Sequence, residues 1–487
     1  MSRSSVLAVV LAVAALGLHL RGLGASALWQ DEAETAVLAQ RVLARGLPYV
    51  DDGRNLVSQN SGRDADARGL WSYSPWLALY AAAAGLGAFG TTAFAARLPF
   101  ALCALGALFL LHRLSRRWSG SEGVAAGAVA LTLASVPWLL HARQCRWYAL
   151  GALAALYLWW AYEEFLAGRP RARLHLVLSS AALFHANFLV FFAVAGGVAL
   201  HFLVVEARRR PPERADFRAG VALFFLLAPA MAYFRVFARA DGTGGVPVSR
   251  LGNLRDLAWG LDAHVFPFLA AALAVWAARG RERLRRPLAL LAGGAATLVL
   301  APHFFFRYLV VFIPLASHVL AETGAFLGER RRWAPAVLVA AFAGTNLLSV
   351  GFWGGMRPFS KRDLADFAAE LREAPADPLS AAGTLLAREA EPGELALVTY
   401  PDLSFMFHTP LRVVGGAQGD RPVRAGEVRW VVVRTEAEKA SFPLDWSLYE
   451  PVPLGVPNGP WGNRPDPGLH VFRTRTDLPP AFIYRRR

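Results

Sequence analysis

Lysine is almost absent from this chain: of 51 basic residues, Lys361 and Lys439 are the two lysines and the other 49 are arginines. Cysteine is equally scarce. Cys103 falls inside an apolar block and Cys145 outside one, so a disulfide framework is excluded. Acid is outnumbered, 36 carboxylates against 51 cations, which leaves a net charge of +15. A surplus of that size can signal a nucleic-acid partner. Its distribution argues against one, because the arginines sit in short loops between apolar blocks. What the sequence has in excess is hydrophobic residues, 55% of the chain, against about 45–50% in soluble domains. Neither a single soluble globule nor a disordered chain fits that content.

A helix crossing the hydrocarbon core needs about 20 apolar residues. Blocks near residues 5–20, 94–112, 122–140, 147–166, 217–236, 263–279, 287–303, 309–327 and 334–352 meet or approach this. The stretch 174–205 is too long for one span and short for two, and reads as a pair of short helices turning near Asn187. The expected fold is therefore an α-helical integral membrane bundle of about eleven transmembrane helices.

Arginine-rich loops face the cytoplasm. The clusters Arg113/116/117, Arg169/171/173, Arg208/209/210/214/218, Arg279/281/283/285/286 and Arg330/331/332 occupy every second loop. The alternation holds only if residues 73–89 do not cross the bilayer, so that apolar run is read as an interfacial or re-entrant helix. The N-terminus then lies in the cytoplasm, and the segment 354–487 lies outside. Residues 1–27 also fit the grammar of a signal peptide, with Arg3, an apolar run and Ala25-Ser26-Ala27. His19 and Arg21 interrupt that grammar, and a retained first span is the expectation. The domain division is 1–353, a membrane domain with its first outer loop at 21–93, and 354–487, a small extracytoplasmic α/β domain. In that tail we expect helices over 361–374 and 378–390 and strands over 394–400, 411–415, 428–434 and 469–473. The tail contains no nucleotide loop, metal-ligand spacing or nucleophile elbow.

Chemistry concentrates in the first outer loop. Trp29-Gln30-Asp31-Glu32-Ala33-Glu34 places three carboxylates within four positions directly after the first span, ahead of a helix running to Arg45 and Gly46. One reading is a helix start, with Asp31 as N-cap and Glu34 three residues on. The other is a carboxylate fixed at the membrane's outer edge, able to act as a general base or to hold a metal. A cap would hold the acid rigid, so the two are compatible. Asp51 and Asp52 read as solvated loop residues. His141 and His303 near span ends, and His185 and Asn187 at the helical turn, read as interfacial or turn-satisfying groups. Arg235 and Arg239 border an outer loop with no role assigned.

Asp31-Glu32 after Trp29, Ser74-Pro75-Trp76, Ala96-Arg97-Leu98-Pro99, the run from Ala142 through Arg143, Arg146 and Tyr148 to Leu150, and Phe306-Arg307-Tyr308-Leu309 with Pro314 together resemble the signature of the GT-C superfamily. These are membrane glycosyltransferases that use polyprenyl-phosphate sugars, and include protein O-mannosyltransferases, the aminoarabinose transferase and Rgt-type galacturonosyltransferases. The resemblance covers roughly residues 5–352. It departs at Ala142, where many relatives carry serine, and it lacks a second acidic motif in a later outer loop.

The resemblance implies a multi-pass enzyme of a bacterial cell membrane. Its partners would be a polyprenyl-phosphate-linked sugar, a lipid, glycan or protein acceptor, and membrane lipids. Asp31 would be the base and Glu32 a second catalytic acid, and the reaction would invert the anomeric centre. Glu34, Arg97, Arg143, Arg146, Tyr148, Arg307 and Tyr308 would bind substrate. Arginine suits a departing phosphate because its planar fork donates two parallel hydrogen bonds. No cofactor is assigned, and a divalent metal is left open. The competing readings are another lipid-linked glycan polymerase or ligase, whose key residues sit in a later outer loop, and a transporter or flippase. A transporter would show paired halves and charges at mid-membrane. A non-catalytic scaffold with a binding tail is a third.

Overall fold

The computed structural model describes residues 3–60, 62–237, 249–301, 304–351, 357, 359–361, 363–416 and 423–487. It is 63% helical with one small sheet. In chain order the helices are α1 (Arg3–Leu20), α2 (Gln30–Arg45), α3 (Leu77–Phe89), α4 (Ala93–Ser119), α5 (Glu122–Leu133), α6 (Val136–Ala142), α7 (Tyr148–Leu166), α8 (Ala172–Ala186), α9 (Phe188–His201), α10 (Arg214–Tyr233), α11 (Arg250–Gly260), α12 (Phe268–Gly280), α13 (Arg285–Val299), α14 (Ile313–Arg330), α15 (Ala334–Gly344), α16 (Asp363–Glu370), α17 (Pro378–Glu389), α18 (Asp402–His408) and α19 (Glu436–Ser441). The strands are β1 (Leu395–Val398), β2 (Arg412–Gly415), β3 (Val428–Val432), β4 (Tyr449–Pro457) and β5 (Pro480–Arg486).

The chain forms two compact units. One comprises Met1–Arg21, Ala101–Arg143 and Trp147–Ala365; the other comprises Gly22–Phe100, Gln144–Arg146 and Asp366–Arg487.

The first unit is the apolar bundle. Among the described residues, four helical segments are long and apolar enough to cross a bilayer, and up to six if each bent pair counts as one span. The pairs are α5 with α6, bent by 72°, and α11 through α12, bent by 81°. This is coarser than the expected eleven, because breaks shorten the helices. The block at 334–352 keeps a helix only to Gly344, and the block at 263–279 is interrupted at Phe266-Pro267. The turn at Asn187 is where the sequence places it. Asn187 has extended backbone, and its side chain accepts the Val190 N–H to cap α9. Outward faces carry bare apolar side chains, among them Val13, Phe109, Val204, Phe224 and Phe225. So much exposed hydrocarbon along whole helices has lipid as its natural solvent.

The second unit gathers three separated stretches. Helix α3, with 13 residues, is about 20 Å long, against about 30 Å for the hydrocarbon core. It packs so closely on α4 that a Cβ at Gly85 would lie 2.2 Å from the Ala95 carbonyl oxygen. The sheet order is β2-β1-β3-β5-β4, with β1 parallel to β2 and β3, and β5 antiparallel to β3 and β4. Helices α16, α17 and strands β1 to β3 fall where the sequence puts them. The strand expected over 469–473 does not form. Asp466 turns the chain there, accepting the Gly468 N–H on its side chain and the Leu469 and His470 N–H groups on its carbonyl. The two missing strands are β4 and β5. Pro451 and Pro453 hide β4 from a propensity reading, yet β4 is an edge strand, where proline is tolerated.

Candidate active site

The acidic run opens helix α2, two residues earlier than expected. Trp29, not Asp31, is the N-cap: its backbone is extended, and its carbonyl accepts the Ala33 N–H at 2.9 Å. The Trp29 indole is anchored by donating to the Gln144 side-chain carbonyl. Asp31 and Glu32 therefore lie in the first turn, where the helix dipole favours carboxylates. Gly46 closes α2 in the left-handed conformation at φ +78°, which glycine adopts without penalty.

Helical spacing sends the acids to different faces. Glu32 is fully buried. Arg97 embraces it with a two-pronged ion pair, Nε to Oε1 at 2.7 Å and Nη2 to Oε2 at 2.6 Å. The Cys145 N–H adds a third bond at 2.8 Å. Arg97 spends its other donors on the Leu23, Ser26 and Ala27 carbonyls. Glu32 and Arg97 thus lock α2, the chain before it, α4 and residue 145 together, which is a structural task. Cys145 is fully enclosed in the same lock, and burial pushes its thiol well above the usual range.

Asp31, Glu34 and Thr35 share the other face, and Arg146 serves all three. Its Nη1 donates to Glu34 Oε1 at 2.6 Å, to the Asp31 carbonyl at 2.8 Å and to Thr35 Oγ1 at 3.1 Å. Its Nη2 lies 3.9 Å from Asp31 Oδ2. Glu34 is buried and also accepts from the Gln59 amide. Burial raises the Glu34 carboxyl above its ordinary range, against the pull of Arg146. Asp31 is the most open of the three acids, its side chain 16% exposed against 0% for Glu32 and 3% for Glu34.

The acids do not converge on one point. Glu32 faces Arg97 and Glu34 faces Arg146. Among the described residues, no three His, Cys, Asp or Glu side chains are grouped to hold a metal ion. The donor set is paired with guanidinium groups and does not fit a metal centre.

The remaining candidates lie in the bundle unit. Arg143 donates to the Leu18 and Arg21 carbonyls at 3.1 and 2.6 Å, closing the end of α1. Tyr148 is buried edge-on to His141 at 4.9 Å. Tyr308 stacks on Trp147 at 6.1 Å, and the Arg307 guanidinium lies 4.6 Å from the Phe305 ring centroid. His141 is buried and its Nδ1 sits 2.8 Å from the Pro137 carbonyl, the bland role expected of it. Asp52 accepts the Arg54 and Asn55 N–H groups and pairs with Arg41 at 3.4 Å, a loop-building role. His303 and Arg239 lie outside the described residues.

Sequence reasoning missed the tail's part in this site. Gln30 donates to Asp402 Oδ1 at 2.7 Å and accepts the Leu403 N–H at 3.2 Å. The Leu28 N–H donates to His408 Nε2 and the Ala27 N–H to Ser380 Oγ, both at 2.9 Å. Gly462, at φ +90°, lies so close to Trp29 that a Cβ there would be 3.1 Å from the Trp29 Cβ. The local signals were Pro401-Asp402 at a helix start and a lone glycine after Trp461.

Comparison with solved structures is decisive for the fold. Over 85% of this chain and 87% of the other, it superposes on ArnT from Cupriavidus metallidurans bound to undecaprenyl phosphate, with TM-score 0.60 and 15% identity. The fold is GT-C. The Archaeoglobus fulgidus oligosaccharyltransferase shares it at TM-score 0.51 and 10% identity, over 88% of this chain and 69% of that one. The mycobacterial arabinofuranosyltransferase AftD shares it at TM-score 0.51 and 17% identity, over all of this chain but 40% of AftD. No protein-family model and no curated protein matches the chain. A GT-C fold with these apolar helices makes the chain a membrane protein, and the expected GT-C bundle is present.

Proposed function

We propose that the chain is an inverting membrane glycosyltransferase that moves a sugar from a polyprenyl-phosphate donor to an extracytoplasmic acceptor. The observation that carries the reading is the placement of Asp31: the most open acid of the first helical turn, oriented by Arg146, in a chain of GT-C fold. The neighbours support the donor class, since ArnT was solved with undecaprenyl phosphate.

In this reading Asp31 takes the proton from the acceptor hydroxyl or amine as it attacks the anomeric carbon. The phosphate leaves from the opposite face through an oxocarbenium-like state. Arg146 is assigned to Asp31 rather than to that phosphate, because its Nη1 is engaged by Glu34, Thr35 and the α2 backbone and its Nη2 faces Asp31. It fixes Asp31 instead, and Glu34 holds Arg146. The donor phosphate falls to Arg307 with Tyr308, whose guanidinium and hydroxyl suit an oxyanion. The membrane is the bacterial inner membrane, crossed by eleven spans, with the shorter and bent helices completing the count. The N-terminus is cytoplasmic, and the first outer loop 21–93 and residues 354–487 are extracytoplasmic. The acceptor is a lipid, glycan or protein. Polymerase, ligase and transporter readings have no comparable support in the fold.

The test is Asp31→Asn in membranes that carry donor and acceptor. Transfer is expected to fall by at least about a hundredfold, the lower range for a general base, with the melting temperature unchanged. Transfer at the wild-type rate refutes the assignment.

A further inference from the structure

The tail places two side chains at the site that the base, the ion pairs and the fold do not use. Tyr400 sits between β1 and α18, two residues before Asp402, which is bonded to Gln30. Arg464 follows two residues after Gly462, which abuts Trp29. Two independent tethers, to residues 29 and 30, thus bring both groups to the start of α2 beside Asp31. The Arg464 guanidinium lies 5.8 Å from the Tyr400 ring centroid, and Arg434 lies on the same ring at 4.9 Å.

The two arginines differ in what they are free to do. Arg434 is paired with Glu438, its Nε donating to Oε1 at 2.9 Å, and Glu438 is held in turn by Thr399 at 2.8 Å. Arg464 is exposed, and among the described residues no carboxylate pairs with it. Arg464 hydrogen-bonds the Tyr400 hydroxyl, and a forked cation held there with no carboxylate to neutralise it suits an incoming oxyanion. Electrostatics agree: burial raises the Tyr400 hydroxyl above its usual range, the Asp31 charge adds to that, and Arg464 and Arg434 oppose it. Tyr400 therefore stays a hydrogen-bond donor at neutral pH, close enough to Asp31 to feel its charge.

We propose that Arg464 and the Tyr400 hydroxyl form an anion-binding position beside Asp31, which receives a phosphate or carboxylate group carried by the acceptor. The word acceptor rests on the transferase reading above; the anion position does not. Arg464 holds the acidic group, Tyr400 donates to it, and the acceptor's nucleophile is presented to Asp31. A neutral acceptor would leave Arg464 without a ligand, so the position selects for acidic acceptors.

The test uses the full chain in lipid nanodiscs saturated with undecaprenyl phosphate, which fills the donor's anion position, and titrates labelled inorganic phosphate. Wild type is expected to bind one further phosphate. Arg464→Ala is expected to weaken that binding at least about tenfold, Arg464→Lys to restore part of it, and Tyr400→Phe to lose less than Arg464→Ala, all with unchanged melting temperature. Undecaprenyl phosphate affinity, measured separately, is expected to be the same in all four proteins. Three results overturn the proposal: no second phosphate in wild type, undiminished phosphate binding by Arg464→Ala, or an equal loss of undecaprenyl phosphate affinity, which would put Arg464 on the donor. Because binding needs no turnover, failure here is distinct from failure of Asp31→Asn to abolish transfer.

Discussion

Replacing Glu32 by glutamine removes one charge from the best-enclosed ion pair around the site. The Arg97 and Glu32 side chains are 7% and 0% exposed, so little solvent can screen what is left. Glutamine keeps a carbonyl for the Cys145 N–H but leaves the Arg97 charge buried without its partner. Breaking a buried pair from one side costs about 3–5 kcal/mol. For a unit of about 200 residues, each kcal/mol moves the melting temperature by about 2–4 °C, so Glu32→Gln should melt about 6–20 °C lower. Cys145 supplies the assay. It is fully enclosed beside this pair and is exposed when the lock opens, so a thiol-reactive fluorophore in a Cys103→Ala background reports the transition. Glu32→Gln with Arg97→Gln should recover part of the loss, because the orphaned charge is gone. Below the transition, transfer per folded molecule should survive in Glu32→Gln and vanish in Asp31→Asn. A melting temperature within 2 °C of wild type, or transfer as low as in Asp31→Asn, refutes the structural role and returns Glu32 to the chemistry.

The His408 imidazole, lowered from 6.5 to about 4 chiefly by burial, accepts the Leu28 N–H in its neutral form. The unfolded chain binds this proton below pH 6.5 and the folded chain only below about 4. Stability is therefore whole above pH 6.5 and declines as pH falls toward 4, by about 3 kcal/mol in all. His408→Gln should flatten the melting temperature across that window, and an unchanged slope would count against it. Gly462→Ala forces a side chain into φ +90° against Trp29 and should cost about 1–2 kcal/mol from backbone strain alone, seen as a lower melting temperature. Arg146→Lys keeps the charge but loses the guanidinium whose Nη1 spans Glu34, Thr35 and the Asp31 carbonyl while Nη2 faces Asp31. Transfer should fall about tenfold or more with little change in the apparent donor KM; a shift confined to donor KM would return Arg146 to the phosphate.

Much of the fold was legible because apolar blocks and arginine loops are long-range, redundant signals. The turn at Asn187 and the parallel strands β1 to β3 follow from local chemistry. The breaks were not legible: a bend at Phe266-Pro267 depends on how neighbouring helices pack. At the site, the sequence singled out Asp31, Glu32, Glu34, Arg97 and Arg146, and the structure brings these five together. It could not say that Arg97 belongs to Glu32 and Arg146 to Glu34, because pairing is fixed by which face of α2 each acid occupies. Nor could it show the tail's part, since Gln30 with Asp402 and Trp29 with Gly462 join residues more than 350 positions apart. Edge-strand prolines in β4 further disguised the sheet that holds Tyr400.

The unit that carries Asp31 is stitched from the chain's opening loop, a three-residue turn and its last stretch. A ribosome adding about 5–20 residues per second needs roughly 13–53 s to travel from the end of the first piece at Phe100 to the start of the last at Asp366. Throughout that interval the newborn acid has no Gln30–Asp402 brace and no Arg464 nearby, so membrane insertion runs ahead of competence. Chains halted early would carry the bundle without the braced acid.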